Sequence, residues 1–234
     1  MMVGNNTFLL DEGQIDPASP FNSYRESQFL PIVQDGRGFG PSAKHGAHGT
    51  VHRVDPDSKR FSIIAGAFRN AYDHAFNLDG ELFTFDSDME WDIGMPWYRE
   101  IRTMHVVPGG DYGYRDGSGK LPAWHHDALP PVRDVGRGSP VGVEFYQSRA
   151  YPSAFHDVLL EADWSRGRLL YTPLTLKGAT YTAPSARTEL VHGEPLNITD
   201  VEVGPDGLVY FTTGGRTTEG GVHRVAYTGP KPAT

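Results

Sequence analysis

The 234-residue sequence predicts an all-β chain, a β-propeller of four-stranded blades with about four blades present, on three observations. First, 28 Gly and 18 Pro are spread along the whole length, which breaks long helices and suits short strands joined by turns. Second, Val51-His52-Arg53-Val54, after Gly49-Thr50, returns as Val222-His223-Arg224-Val225 after Gly220-Gly221. Third, the hairpin pattern Phe76-Asn77-Leu78-Asp79-Gly80-Glu81-Leu82-Phe83 is repeated from Val203 to Phe211 around Asp206-Gly207.

Taken in order, residues 1–48 are poorly patterned and read as the remnant of an earlier blade. Two outer strands follow at about 49–65, then a blade over about 71–135 that carries a long insertion. Asp79-Gly80 sits between its two innermost strands, because glycine takes positive φ at no steric cost in a tight turn. A complete blade occupies 141–193, with extended runs at Val141 to Tyr146, Asp157 to Ala162, Arg168 to Leu174 and Thr188 to His192. Three strands follow at 198–227, and 228–234 is a tail. The insertion segments, Ser87 to Tyr98 and Gly109 to His126, read as long loops on a propeller face, where function concentrates.

Composition narrows the function classes. A formal charge of −8 argues against a phosphate-backbone binder, so nucleic acid is not an expected partner. With no cysteine, the chain has no disulfide, thiolate metal site or covalent haem attachment. No apolar run reaches the roughly 20 residues of a membrane helix, and Met1 to Leu10 lacks the pattern of a signal peptide. No phosphate cradle, nucleophile elbow or Walker signature is present.

Three stretches carry a family resemblance: Gly66-Ala67-Phe68-Arg69-Asn70-Ala71-Tyr72-Asp73, Phe76 to Phe83, and Gly109-Gly110-Asp111-Tyr112-Gly113-Tyr114. With Gly138 to Phe145, Asp163 to Gly167 and Thr199-Asp200-Val201, they resemble the glucose/sorbosone dehydrogenase family over most of 49–227. The resemblance implies a relative of six-bladed propellers, several of which use pyrroloquinoline quinone with calcium to oxidise sugars or alcohols. The run Asp86 to Tyr98 is similar to a branch found in large multidomain bacterial proteins, where the propeller precedes a haem-binding segment. A periplasmic or secreted location is what the resemblance suggests. The sequence departs from the quinone-using members in two ways. Their histidine base comes from a blade before the Arg-Asn motif, and their quinone-contacting lysine and arginines fall near Ser165, Leu196 and Ile198. A six-bladed propeller also needs more chain than is present, so the expectation is a fragment, a small propeller, or a part completed by another chain or missing blades.

The candidate site residues follow from these patterns. Asp86, Asp88, Glu90 and Asp92 place four carboxylates in seven residues, the oxygen-rich donor set that calcium takes; a solvated acidic loop is the plain alternative. Arg69 and Asn70 follow a strand and can present a guanidinium fork to an anionic cofactor, or else Arg69 pairs with Asp86 or Asp73 to hold blades together. Asp163 and Asp200, at matching blade ends, are candidate general bases, with turn capping as the alternative. His105, in a strand after the acidic loop, is the third catalytic candidate. His52 and His223, alternating with valines, read as members of a solvated strand face. Trp91, Trp97, Tyr98, Tyr112, Tyr114 and Trp124 form either a sugar-stacking platform or a cover for the propeller end. Two functions stay open: a dehydrogenase-like propeller that oxidises sugars or alcohols when complete, and a non-catalytic propeller that binds carbohydrate or protein.

Overall fold

The computed structural model describes residues 1–4, 12–21, 49–89, 98–115, 119–121 and 124–230. Among these residues there is no α-helix, and the chain forms short antiparallel strands divided between two compact units. The first unit comprises Met1–Tyr72, Asp86–Glu100 and Val106–Pro131; the second comprises Asp73–Phe85, Ile101–His105 and Val132–Thr234.

In the first unit, β1 (Met2–Val3), β2 (Gly49–Val54) and β3 (Phe61–Phe68) form one sheet in that order. β3 is buried along almost its whole length, and the loop after Val106 runs beside it. Gly109 donates to the Ile64 carbonyl, Gly66 to the Gly110 carbonyl, and Tyr112 to the Gly66 carbonyl. Gly66 must lack a side chain, since a Cβ there would stand 2.3 Å from Phe21 Cε1. Tyr112 stacks on Phe68 with ring centroids 4.5 Å apart and accepts the Val107 N–H. Two of the stretches that carry the family resemblance, Gly66 to Asp73 and Gly109 to Tyr114, are thus neighbours over Gly66 to Tyr112. One sequence expectation fails here. His52 is buried, not solvated, because β1 pairs with β2 across it, and burial, followed by the nearby amino-terminal charge, pushes its pKa down to about 4.

The second unit holds three blade sheets. β4 (His74–Phe76), β5 (Leu82–Asp86), β6 (Ile101–Val106) and β9 (Arg133–Gly136) make the first. Between β6 and β9 lies a two-strand hairpin of the first unit, β7 (Tyr114–Arg115) with β8 (Gly119–Lys120). The second sheet is β10 (Pro140–Phe145), β11 (Leu159–Asp163), β12 (Arg168–Thr172) and β15 (Glu189–His192), which matches the four runs read over 141–193. An extra hairpin not foreseen from the pattern, β13 (Thr175–Lys177) with β14 (Thr180–Thr182), interrupts its last connection. The third sheet is β16 (Ile198–Val203), β17 (Val209–Thr213) and β18 (Gly221–Val225).

Both Asp-Gly pairs make the hairpins they predict. Gly80 and Gly207 take φ of 81° and 77°, and Asn77 Oδ1 accepts the Asp79 and Glu81 N–H groups to shape the first turn. The middle sheet is covered on both faces, which explains why β11 is buried at every position. Alternate residues serve opposite neighbours. Leu159 and Leu170 pack with Phe83, Phe85 and Ile101 of the first sheet, while Leu160, Ala162 and Leu169 pack with Ile198, Val201 and Val209 of the third. The first strands meet along one edge, with β10 packing against both β4 and β16.

One charged group breaks the apolar run of β11. Glu161 is fully buried and its carboxylate takes Arg133 of β9 at 2.8 Å, Thr172 of β12 at 2.5 Å, and the Thr103 hydroxyl of β6. It therefore ties the first blade sheet to the second. Glu161→Gln is expected to cost about 3–5 kcal/mol by stranding the buried Arg133 charge. The double replacement Glu161→Leu with Arg133→Met should lose markedly less. Urea unfolding of the three proteins checks both outcomes.

Candidate functional site

The sequence-designated residues fall in both units. Arg69, Asn70, Asp86 and Asp88 belong to the first; His105, Asp163 and Asp200 belong to the second. Glu90 and Asp92 of the acidic run lie outside the described residues, as do Trp91 and Trp97.

The Arg69–Asn70 turn is built by a bulge. At the end of β3 the register with β2 skips Ala67, which holds a left-handed φ of 62° and redirects the chain. The turn that follows is gripped from the end of β5. Asp86 Oδ1 accepts the Arg69 N–H at 3.1 Å and the Asn70 N–H at 3.0 Å, and Ser87 donates its hydroxyl to the Asn70 carbonyl. Asp86, expected as a metal ligand, is fully buried and directs its carboxylate at these backbone donors. Arg69 is half-buried and Asn70 exposed, on a backbone that these bonds hold. Asp88 is half-buried.

Asp163 stands at the same place on β11 as Asp86 on β5, the fifth and last residue of the second strand. It is fully buried. Arg168 reaches its Oδ2 through Nε at 2.9 Å and a terminal nitrogen at 2.8 Å, while Oδ1 accepts the Ser139 N–H at 2.8 Å and the Ser165 hydroxyl. Both oxygens are engaged. His105 is likewise held on both ring nitrogens, by Glu81 at 3.0 Å and Thr180 at 3.1 Å, and stacks on Phe83.

Asp200 has different company. It lies on β16, and its carboxylate sits over β10, where a Cβ on Gly142 would stand 2.4 Å from Oδ1. Three further carboxylates on or beside the first strands of the three sheets are within its electrostatic reach: Asp73 before β4, Glu144 on β10 and Glu202 on β16. Burial raises the pKa of Glu144, Asp200 and Glu202, and the neighbouring acids raise each further. Asp73 bridges two strands, accepting the His74 N–H on one oxygen and the Val143 N–H, left over by a bulge in β10, on the other. Sequence reasoning singled out Asp200 and missed Glu144 and Glu202 as site residues. These two alternate with apolar residues along β10 and β16, the ordinary signature of a strand face. Among the described residues, no three His, Asp or Glu side chains are arranged to hold a metal ion. The cluster can accept hydrogen bonds from hydroxyl groups, attract a cation, and hold a proton nearer to neutrality than isolated carboxylates do.

No profile of a known protein family matches the chain, and no curated protein does. Solved structures do. An oxidoreductase described as a glucose dehydrogenase, from Thermus thermophilus, superposes with a TM-score of 0.55 at 21% identity, over 70% of this chain and 47% of that one. A second structure titled glucose dehydrogenase gives 0.58 at 19% identity over 75% and 49%. The PQQ-bound form of aldose sugar dehydrogenase from Streptomyces coelicolor gives 0.54 at 17% identity over 75% and 51%. The chain has the β-propeller fold of these sugar dehydrogenases and spans about half their length.

Two outcomes test this geometry. Asp86→Ala leaves two backbone N–H groups of the Arg69–Asn70 turn without their acceptor and should cost about 1–3 kcal/mol in urea unfolding, with faster amide exchange at both residues. Glu144→Gln addresses the cluster. An acid whose folded pKa is raised disfavours folding above that pKa, and the penalty fades as pH falls toward the unfolded value. Glu144→Gln should therefore raise the melting temperature at about pH 7, reflecting a stability gain of less than about 1 kcal/mol after solvent screening, and lose this advantage near about pH 4. Thermal melts across pH check the slope.

Proposed function

We propose that this chain is the sugar- or alcohol-binding part of a dehydrogenase-type propeller, and that Glu144, Asp200 and Glu202, beside Asp73, receive the hydroxyl groups of a small polyhydroxylated ligand. The observation that carries this reading is the cluster itself: Glu144 of β10 and Asp200 and Glu202 of β16, with Asp73 at the entry to β4 bonded to β10, all three strand acids having raised pKa. Ionised carboxylates only accept hydrogen bonds, and neighbouring hydroxyls supply matching donors. Glu144 is suited to hold a proton at this edge, since burial favours its protonated form while its Oε1 takes the Phe145 N–H.

The cofactors are a separate matter. Pyrroloquinoline quinone is a polycarboxylate and requires cationic contacts. In the second unit, Arg133 and Arg168 are buried and committed to Glu161 and Asp163, and the cluster edge is acidic. These residues do not fit an anionic quinone, and no step is routed through it. A calcium ion on the acidic run from Asp86 to Asp92 remains a proposal for that run as a whole, with Asp86 already engaged at the Arg69–Asn70 turn. The poor fit to the quinone favours, for the chain by itself, the second reading of a carbohydrate-binding propeller without turnover. Both readings share the ligand.

Thermal unfolding of the chain with glucose, sorbitol, calcium chloride and pyrroloquinoline quinone, each alone, distinguishes them. A polyol at ~100 times its dissociation constant should add about 2.7 kcal/mol, an effect lost in Asp200→Asn and in Glu202→Gln. A quinone-dependent rise points to a dehydrogenase, and a calcium-only rise to an ion-binding loop. No polyol-dependent rise, with cooperative melting retained, overturns the ligand assignment.

A further inference from the structure

His52 lies in β2 and is only 6% exposed. Its Nε2 stands 2.6 Å from the Thr50 hydroxyl, and among the described residues its Nδ1 has no hydrogen-bond partner. A neutral imidazole tolerates this arrangement, because it has one donor and one acceptor and a hydroxyl can serve either. A protonated imidazole does not. It would carry a buried N–H without an acceptor and a buried charge without a counter-ion.

The elements packed around the ring offer no compensation. On one side, β3 sets Ile63 opposite His52 in the register and the Phe61 ring 5.7 Å away, both apolar. Asp16, which lies beside β3, is engaged with the Ala18 N–H and the Ser62 hydroxyl. Arg53, next along β2, is exposed. On the other side, β1 brings the Met1 ammonium, whose charge opposes a second one. Burial, followed by that ammonium, holds the imidazole at a pKa of about 4. β1 is two residues long and meets β2 at the same histidine: the Met1 ammonium donates to the His52 carbonyl at 2.9 Å, and the His52 N–H donates to the Met1 carbonyl at 2.8 Å.

We propose that His52 is an acid-sensitive lock on β1: uptake of a second ring proton drives the imidazole out toward water and releases Met1–Val3 from β2, which opens that edge of the sheet. Ring and backbone bonds belong to one residue, so neither moves without the other. The ordinary imidazole value is 6.5, so between there and about 4 the opened form binds the extra proton and gains about tenfold in population per pH unit, then levels off. This proposal is independent of the polyol reading and survives its failure.

Hydrogen exchange in the full 234-residue chain tests it, followed from about pH 7 to about pH 4 at the His52 amide, with the amides of β11 and β12 as reference. After correction for the intrinsic pH dependence of exchange, protection at His52 should fall about 100-fold or more while β11 and β12 stay protected. In His52→Gln, which cannot take up the proton, protection at the same amide should stay level. The wild-type ring, followed by NMR, gives a second measure that decides even where the variant does not fold: its protonation should coincide with the loss of protection. Four results overturn the proposal: unchanged protection at His52; an equal loss in His52→Gln, which assigns the effect to carboxylates; an equal loss in β11 and β12, which is global acid unfolding; or a ring that takes up its proton while the amide stays protected.

Discussion

The arrangement of the second unit rests on one buried contact, the Glu161 carboxylate with Arg133, Thr103 and Thr172. Apolar faces of packed sheets attract without direction, and several sliding positions bury similar area. A fully desolvated carboxylate is not tolerant in that way. It is paired, with four strands β6, β9, β11 and β12 supplying the groups, or it is costly. The contact thus fixes how two sheets align more than it adds to their affinity, the role that buried ion pairs fill best. Arg133 Nε finds no partner among the described residues, so the network is one donor away from complete.

A second device repeats from sheet to sheet. The fifth residue of the second strand is Asp86 in β5, Asp163 in β11 and Thr213 in β17. The two aspartates bind backbone N–H groups of the segment that enters their own sheet, at Arg69–Asn70 and at Ser139. In the third sheet the contact is made by backbone alone, with the Gly214 N–H donating to the Asn197 carbonyl. These clamps set where each first strand begins. The carboxylates gathered from β10, β16 and the entry to β4 are positioned by entries fixed in this manner, which links a structural motif to the candidate site.

Much of this fold was legible in the sequence. The tetrad repeat and the two Asp-Gly turns locate strands that the structure contains, because a tight turn has a local chemistry that a sequence displays. What distinguishes one carboxylate from another does not. Asp86, Asp163 and Asp200 look alike as acids at strand ends, yet two are held by donors from other segments, while Asp200 takes the N–H of its own neighbour Val201 and joins other acids. The difference lies in partners that the fold brings up, Arg168 and Ser139 for one, Asp73 and Glu144 for another. His52 and His223 share the same tetrad and differ in burial because β1, two residues from the start of the chain, covers only the first. Glu161 did leave a signal that went unread: a lone charge inside Leu159-Leu160-Glu161-Ala162.

The sandwiched position of β11 also bears on how the unit forms. Its two rows of side chains answer to different neighbours, Leu159 to one sheet and Leu160 to the other. The middle sheet alone would expose both rows, so its free energy of formation depends on nearest-neighbour coupling, as in a linear array of repeats. Each sheet is drawn mostly from one stretch of chain, which makes its own strands quick to find one another. Ordering is then local first and collective afterwards. The middle sheet is the element on which both neighbours depend, and neither neighbour supplies the packing face that the other needs.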